Sequence, residues 1–151
     1  MVSGPTLMKE YWRDPVETEA ALRGGWLHTG DLARMDGDGY FFLVDRAKDM
    51  YISGGENVYP AELELVLKTM PGVVDAAVVG VADAEWGEVG RAFLVCSEGE
   101  GLTQEAVLAY CEGKLARYKV PRSVVFRRDL PRTAVGKVRK FLLVEPGAGP
   151  E

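Results

Sequence analysis

The chain lacks the residues that several classes of protein require. It has one histidine and two cysteines in 151 residues, and no cysteine lies at a metal-ligand spacing from the histidine or from the other cysteine. A histidine-based metal cluster and a hydrolase triad are therefore poorly supported. The first fifteen residues contain no continuous apolar stretch of the kind found in signal peptides or membrane-spanning helices. We expect a cytoplasmic chain, with Cys96 and Cys111 as core thiols.

The charge balance excludes a further class. The chain has 18 basic and 23 acidic residues, which give a net charge of -5. This argues against a surface for nucleic acid or an anionic membrane, since either needs a dense face of lysine and arginine. The hydrophobic fraction of 47% and the charged fraction of 27% are typical of a globular protein.

Residues 1–44 have the turn signals and short apolar runs of a β-rich extension. The stretch Asp36–Gly39 separates the apolar runs Leu32–Met35 and Tyr40–Val44, which predicts a hairpin. Residues 15–23 could form one short helix. Neither element closes a core by itself, so we interpret the extension as part of something larger.

From about Lys48 the pattern changes to that of a compact α+β unit. Periodicity, turn residues and capping residues predict a hairpin from 50–52 and 57–59, a helix from Pro60 to the Pro71-Gly72 pair, strands at 73–81 and 91–96, a helix capped by Thr103, and a strand at 123–126. The predicted fold class is α+β, a small sheet with helices on one side, preceded by the β-rich extension. The last residues, 146–151, are expected to fray.

The pair Gly136-Lys137 is the first candidate for chemistry. A phosphate-binding P-loop needs a glycine five residues before this one and a serine or threonine after the lysine. Those positions hold Pro131 and Val138, so we reject a P-loop here, and none occurs elsewhere. A lysine on a glycine-flexed segment is still a mobile charge suited to a phosphate or carboxylate. The alternative is a solvated basic turn.

Three other segments admit both a functional and a plain structural interpretation. The Asp31 carboxylate could accept hydrogen bonds from two vicinal hydroxyls, or residues 29–31 could form a simple turn. Ser53-Gly54-Gly55 could let a ligand approach the backbone, or could form an ordinary hairpin turn. The charged stretch 45–49 is either a solvated connector or a hinge, because it lies where the extension gives way to the compact unit.

These motifs occur in an order that resembles one enzyme superfamily. The chain is similar to the carboxyl-terminal part of acyl-CoA synthetases, which are adenylate-forming, AMP-binding enzymes. The resemblance is carried by His28-Thr-Gly-Asp31, Asp45-Arg-Ala-Lys-Asp49, Ser53-Gly-Gly-Glu-Asn57, the Trp86-Gly-Glu88 loop, Tyr118-Lys-Val-Pro121 and Pro131-Arg-Thr-Ala-Val-Gly-Lys137. It covers nearly the whole chain.

The resemblance implies a domain organisation and an ATP site. Residues 1–47 would be the end of the large AMP-binding domain, residues 48–145 the small mobile lid domain, and residues 146–151 a tail. Lys137 would be the catalytic residue that reaches the substrate carboxylate and the α-phosphate. Asp31 would hold the ribose hydroxyls of ATP or AMP with help from Arg46, and Lys48 would be the hinge.

The resemblance also implies a coenzyme A site and an activity. Ser53, Gly54 and Gly55 would line the pantetheine path, and the candidates for the coenzyme A nucleotide are Tyr118, Lys119 and Arg122. The implied reaction converts a carboxylic acid, such as a fatty acid, to an acyl-adenylate with ATP and then to acyl-CoA. Mg²⁺ is expected in the complete enzyme, with its ligands outside this chain.

The chain departs from the family in what precedes the Thr-Gly-Asp motif. Full enzymes carry a phosphate loop, a substrate pocket and a magnesium-binding glutamate upstream of it. We therefore expect the isolated chain to be inactive without an amino-terminal AMP-binding domain, whether it is a truncated product, a split-gene product or a remnant. The alternative is a non-catalytic α+β module that binds a partner or itself, because the hairpin at 32–44 could pair edge to edge.

Overall fold

The chain divides into two compact units, Met1–Lys48 and Asp49–Glu151. The computed structural model describes residues 1–97, 99 and 101–144, so the predicted tail at 146–151 lies outside the described residues. The division between the units falls within the charged stretch 45–49. The assignment of residues 1–47 to the end of a larger domain stays a prediction.

The first unit contains one helix and one β-hairpin. The helix α1 (Pro15–Leu22) has proline in its first turn and is capped by Asp14, whose Oδ1 accepts a hydrogen bond from the Glu17 amide at 3.0 Å. The strands β1 (Asp31–Met35) and β2 (Phe41–Arg46) pair antiparallel, which confirms the predicted hairpin. No side chain of this unit is fully buried, because a two-stranded sheet leaves both faces uncovered.

A five-stranded mixed sheet forms the centre of the second unit. Its strands are β3 (Tyr51–Ser53), β4 (Glu56–Val58), β5 (Val73–Asp83), β6 (Gly87–Cys96) and β7 (Ser123–Arg127). The order is β4-β3-β6-β5, with β7 also pairing with β6. The pair β6–β7 is parallel and the other pairs are antiparallel. The strand β5 therefore lies at the end of the sheet, with β6 as its only strand neighbour among the described residues.

Two helices cover one face of this sheet. They are α2 (Pro60–Lys68) and α3 (Gln104–Glu112), and the Thr103 side chain caps α3 by accepting a hydrogen bond from the Ala106 amide. Leu63 and Leu67 of α2 pack with Val107 and Cys111 of α3 in the larger core cluster, and all four are fully buried. Among the described residues, no helix is both long and apolar enough to cross a membrane.

The opposite face is covered by the last described segment of the chain. Side chains alternate along β5, so Ala76 and Val78 belong to the larger cluster while Ala77 and Val79 belong to a second one. The second cluster also contains Phe93, Leu130 and Leu143, the last from the one-turn helix α4 (Phe141–Val144).

The α+β fold class is confirmed, with corrections in detail. We expected helices on one side only, but α4 lies on the other face, and a single turn is too short for apolar periodicity to reveal. The strand β6 begins at Gly87 and not at residue 91, because its pairing with β5 continues to the hairpin turn. The helix α2 ends at Lys68, before the Pro71-Gly72 pair, where Thr69 bonds back to Val66. Of the two predicted core thiols, Cys111 is fully buried and Cys96 only partly.

Candidate functional site

Lys137 lies at the end of a tight loop formed by residues 131–139. The loop closes through an isolated bridge between Arg132 and Val138, and the Thr133 amide donates to the Lys137 carbonyl at 2.8 Å. Gly136 has a positive φ of 84°, which an L side chain rarely adopts. The Lys137 amide donates to the Thr133 hydroxyl at 3.1 Å, so the backbone of the lysine is fixed on both sides.

The side chain of Lys137 is exposed. Within the residues that the structure describes, its ammonium forms no ion pair. The ammonium is therefore held on an ordered backbone with its positive charge free for an anion. This arrangement suits a lysine that meets a phosphate or carboxylate from outside its own unit.

Asp31 and Arg46 meet at the open end of the β1–β2 hairpin. They are directly opposite each other in the strand register, and Arg46 Nε lies 3.2 Å from Asp31 Oδ1. Both side chains are partly exposed, at 32% for Asp31 and 50% for Arg46. One carboxylate oxygen is therefore held by the guanidinium in a place that solvent and ligands can reach. Lys48, the predicted hinge, is the exposed last residue of the first unit.

Ser53, Gly54 and Gly55 form the turn of the β3–β4 hairpin, and Gly54 packs against Trp86. The Gly54 amide donates to the Trp86 carbonyl at 2.9 Å. A Cβ atom built on Gly54 would lie 2.7 Å from Trp86 Cε3, while one built on Gly55 would meet nothing within 4 Å. Gly54 is thus required by the packing of the indole as well as by the turn. Ser53 is buried, with 2% of its surface exposed.

A cleft of about 590 Å³ lies beside this turn. It brings together three of the predicted coenzyme A residues, Ser53, Tyr118 and Arg122, although Ser53 is more than sixty positions from the other two in the sequence. The rest of the lining is apolar, apart from Trp86 and the charged residues Glu112 and Arg117. The cleft therefore combines an apolar wall with polar and charged groups.

Three lining residues with an aromatic or charged side chain, Trp86, Glu112 and Arg117, were not among the predicted site residues. The Arg122 guanidinium lies over the Trp86 ring, 5.2 Å from its centroid. Trp86 reaches the cleft because Gly87 is opposite Ser53 in the β3–β6 pairing. Glu112 and Arg117 come from the end of α3 and from the 3-10 turn at Arg117–Lys119. No local sequence signal distinguishes these two from ordinary surface charges.

Lys119 does not line the cleft with Tyr118 and Arg122. Its ammonium instead contacts both carboxylate oxygens of Glu62, each at 2.8 Å. The hydrogen bond to Glu62 raises the pKa of Lys119 above its ordinary value, and it outweighs the opposing effect of partial burial. Lys119 therefore ties the 3-10 turn to the first turn of α2, and its charge is already partnered.

The fold is that of the small carboxyl-terminal domain of adenylate-forming enzymes. The family model for the AMP-binding enzyme C-terminal domain matches residues 62–137, and the chain belongs to this family. The resemblance inferred from the motifs is thus confirmed.

Known relatives are similar along nearly the whole chain. The feruloyl-CoA synthase of Amycolatopsis sp. is 54% identical over 140 residues, which are 93% of this chain and 28% of that protein. A long-chain-fatty-acid–CoA ligase of Mycobacterium tuberculosis is 44% identical over 96% of this chain and 29% of its own length. The chain therefore spans less than a third of the curated relatives that it matches.

A solved structure gives the same picture. The o-succinylbenzoate CoA synthetase of Bacillus subtilis, in complex with its acyl-adenylate intermediate, is 39% identical and has a TM-score of 0.88. The match covers 97% of this chain and 30% of that one. The named relatives are all ligases that join an acid to coenzyme A.

Proposed function

We propose that this chain is the carboxyl-terminal portion of an AMP-forming acyl-CoA synthetase and supplies its catalytic lid lysine. The observation that carries the proposal is Lys137, an exposed ammonium that has no ion pair among the described residues and lies on an ordered glycine loop, inside a domain of the AMP-binding enzyme C-terminal family. When a carboxylate attacks the α-phosphate of ATP, negative charge gathers on the phosphate oxygens. A preorganised ammonium directed at that charge lowers the barrier.

The hairpin end formed by Asp31 and Arg46 is the proposed ribose site for ATP or AMP. A carboxylate has two coplanar acceptor oxygens, which suits two vicinal hydroxyls. The contact at 3.2 Å from Arg46 supports this role, because it orients the carboxylate while leaving it partly exposed. Lys48 is the proposed hinge, and its position at the boundary of the two units supports that role.

The cleft beside Ser53 is the proposed site for coenzyme A. Ser53 in the cleft lining, the exposed glycines Gly54 and Gly55 beside it and the apolar wall suit the pantetheine arm, which carries the thiol that forms the thioester. The guanidinium groups of Arg117 and Arg122 suit the phosphates of the nucleotide, and the rings of Trp86 and Tyr118 suit its adenine. Lys119, paired with Glu62, is a weaker candidate for a direct contact than Arg122.

The remaining parts of the reaction belong to the proposed partner. We propose that an amino-terminal AMP-binding domain supplies the phosphate loop, the acid pocket and the ligands of Mg²⁺, in the cytoplasm. The acid would then be selected outside this chain. The chain alone is expected to bind parts of the substrates without completing the reaction.

A chimeric enzyme tests the role of Lys137. In it, this chain replaces the matching 140-residue stretch of the feruloyl-CoA synthase of Amycolatopsis sp.. We expect Lys137→Ala to reduce carboxylate-dependent pyrophosphate release by about 10² to 10³, the usual loss when one charge-stabilising group is removed. Thioester formation from preformed acyl-adenylate should be nearly unchanged.

The control is Lys114→Ala, which removes another exposed lysine that lies over the Tyr110 ring. It should leave both half-reactions unchanged. An equal loss in both half-reactions for Lys137→Ala would contradict the assigned role. A wild-type chimera that folds but forms no thioester would contradict the proposed function as a whole.

A second candidate function is self-association through the first unit. The β1–β2 hairpin exposes a row of large apolar side chains, all at least 44% exposed: Met35, Tyr40, Phe41, Phe42 and Leu43. Such a patch on a short exposed sheet is typical of an interaction surface. This function needs no chemistry from Lys137.

A further inference from the structure

A polar cluster lies at the base of the Lys137 loop and takes no part in the chemistry proposed above. Its centre is Asp75, near the start of β5, whose side chain is only 17% exposed. Asp75 Oδ1 lies 3.1 Å from Lys68 Nζ and accepts a hydrogen bond from the Ala76 amide at 2.9 Å. Asp75 Oδ2 pairs with the guanidinium of Arg132.

Arg132 connects this carboxylate to the loop itself. While Nη2 pairs with Asp75, Nη1 donates to the carbonyl oxygen of Gly136. Gly136 directly precedes Lys137, so the guanidinium joins Asp75 on the edge strand to the residue that comes before the lysine. A planar fork with several fixed donors can make both contacts at once, which a lysine ammonium at the same place does less well.

The surroundings of Asp75 keep its contact with Arg132 charged. Burial of Asp75 opposes ionisation, but the hydrogen bonds from Lys68 and the Ala76 amide, with the charges of Lys68 and Arg132, outweigh it. The pKa of Asp75 is therefore lowered, and the carboxylate stays ionised at neutral pH. The contact with Arg132 is a charge-assisted hydrogen bond, which is stronger than a neutral one.

We propose that Arg132, held by Asp75, is a positioning residue for Lys137. By fixing the Gly136 carbonyl, it sets the direction in which the lysine side chain leaves the loop. A catalytic ammonium must reach its target in one geometry, and a displacement of about 1 Å can cost about a hundredfold in rate. The catalytic consequence rests on the proposed function, whereas the order of the loop is a property of this chain alone.

The first test measures loop order in the full 151-residue chain. Heteronuclear NOE values of the Gly136 and Lys137 amides report motion on the picosecond to nanosecond scale. We expect Arg132→Gln to lower both values and Arg132→Lys to give intermediate ones, with the amides of β5 and β6 unchanged. Unchanged values at Gly136 and Lys137 in Arg132→Gln would overturn the proposal. If Arg132→Gln does not fold, Arg132→Lys decides on the same criterion.

The matched control is Arg139→Gln. It removes the same charge from the same segment, but the Arg139 guanidinium lies over the Phe141 ring, 5.0 Å from its centroid, and not on the Gly136 carbonyl. Loop order should be unchanged in this variant. An equal loss of order in Arg139→Gln would mean that positive charge in the segment, and not the contact of Arg132 with Asp75 and Gly136, holds the loop.

The second test measures catalysis in the chimera. We expect Arg132→Gln to slow acyl-adenylate formation by about 10- to 100-fold without slowing thioester formation. Because Arg132 acts through Lys137, the double variant Arg132→Gln/Lys137→Ala should be no slower than Lys137→Ala alone. A further loss in the double variant would overturn the positioning role. A wild-type chimera without activity would count against the proposed function, and loop order would still decide this inference.

Discussion

Two adjacent glycines in the β3–β4 turn have different reasons to be glycine. Gly54 and Gly55 both have positive φ, of 58° and 87°, which suits the two-residue turn of a hairpin. At Gly54 there is a second reason, because the Trp86 ring occupies the space that a side chain at this position would need. The sequence pattern reveals the turn, but only the fold reveals the indole above it.

This difference gives a prediction at the residue scale. Replacing either glycine by alanine imposes a positive φ on an L residue, at a cost of roughly 1 to 2 kcal/mol. Gly54→Ala should lose about 1 to 3 kcal/mol more than Gly55→Ala, because its methyl group overlaps the Trp86 ring. Urea denaturation of both variants measures the free energy of unfolding. Equal losses would show that the ring moves aside without cost.

At the scale of elements, the end strand β5 is protected by a side chain. The Val78 amide donates to the Glu64 carboxylate of α2 at 2.9 Å, and Lys140 Nζ lies 2.6 Å from the same oxygen. Glu64 and Lys140 side chains are each 18% exposed, so this contact is mostly buried. An amide at the edge of the sheet thus has an acceptor, and the segment leading into α4 is tied to α2.

Hydrogen exchange tests the protection of this edge. Glu64→Ala should speed exchange of the Val78 amide by about fivefold to tenfold, since a lost hydrogen bond is worth about 1 to 1.5 kcal/mol. Glu64→Gln keeps an acceptor oxygen and should change it much less. Equal exchange at Val78 in the wild type and in Glu64→Ala would show that the carboxylate gives no protection.

At the scale of the whole molecule, the two units differ in how much core they contain. Both hydrophobic clusters draw all their residues from between Tyr51 and Leu143, whereas no side chain of residues 1–48 is fully buried. The second unit therefore has what a separate folding unit needs. The first unit exposes apolar side chains on its hairpin that call for a partner surface.

Light scattering tests whether the first unit causes self-association and whether the second unit is monomeric by itself. The full chain should increase in mean mass across a concentration series, because the apolar hairpin patch can pair with a second copy. A fragment of residues 49–144 should stay monomeric, with the circular dichroism of a folded α+β protein. A full chain that remains monomeric throughout would remove the support for self-association. A fragment that associates as strongly as the full chain would locate the contact elsewhere.

Local patterns predicted most of the elements. Pro60 began α2, Thr103 capped α3, and alternating or β-branched runs marked the strands. The sequence did not predict the one-turn helix α4, because four residues are too few to show a helical period. The sequence placed the start of β6 too late, because pairing close to a hairpin turn depends on the partner strand and not on β propensity.

The roles predicted for the site residues remain predictions. The fold brings some of these residues together and leaves another apart. The register of β1 and β2 brings Asp31 and Arg46 together, and the cleft brings Ser53, Tyr118 and Arg122 together. The resemblance implied Lys119, with Tyr118 and Arg122, as a candidate for the coenzyme A nucleotide. In a 3-10 turn, however, successive side chains point in different directions, and that of Lys119 meets Glu62.

The sequence by itself determined the α+β class, the order of the main elements and the family, because these depend on local periodicity, turn chemistry and motifs in a fixed order. Only the tertiary structure decided which distant residues meet: Asp75 with Arg132, Trp86 with Gly54, and Tyr51 with the opposed glycines Gly80 and Gly90. Such contacts depend on strand register and on close packing between layers. No local pattern encodes these, since residues far apart in the chain become neighbours only when the sheet has formed.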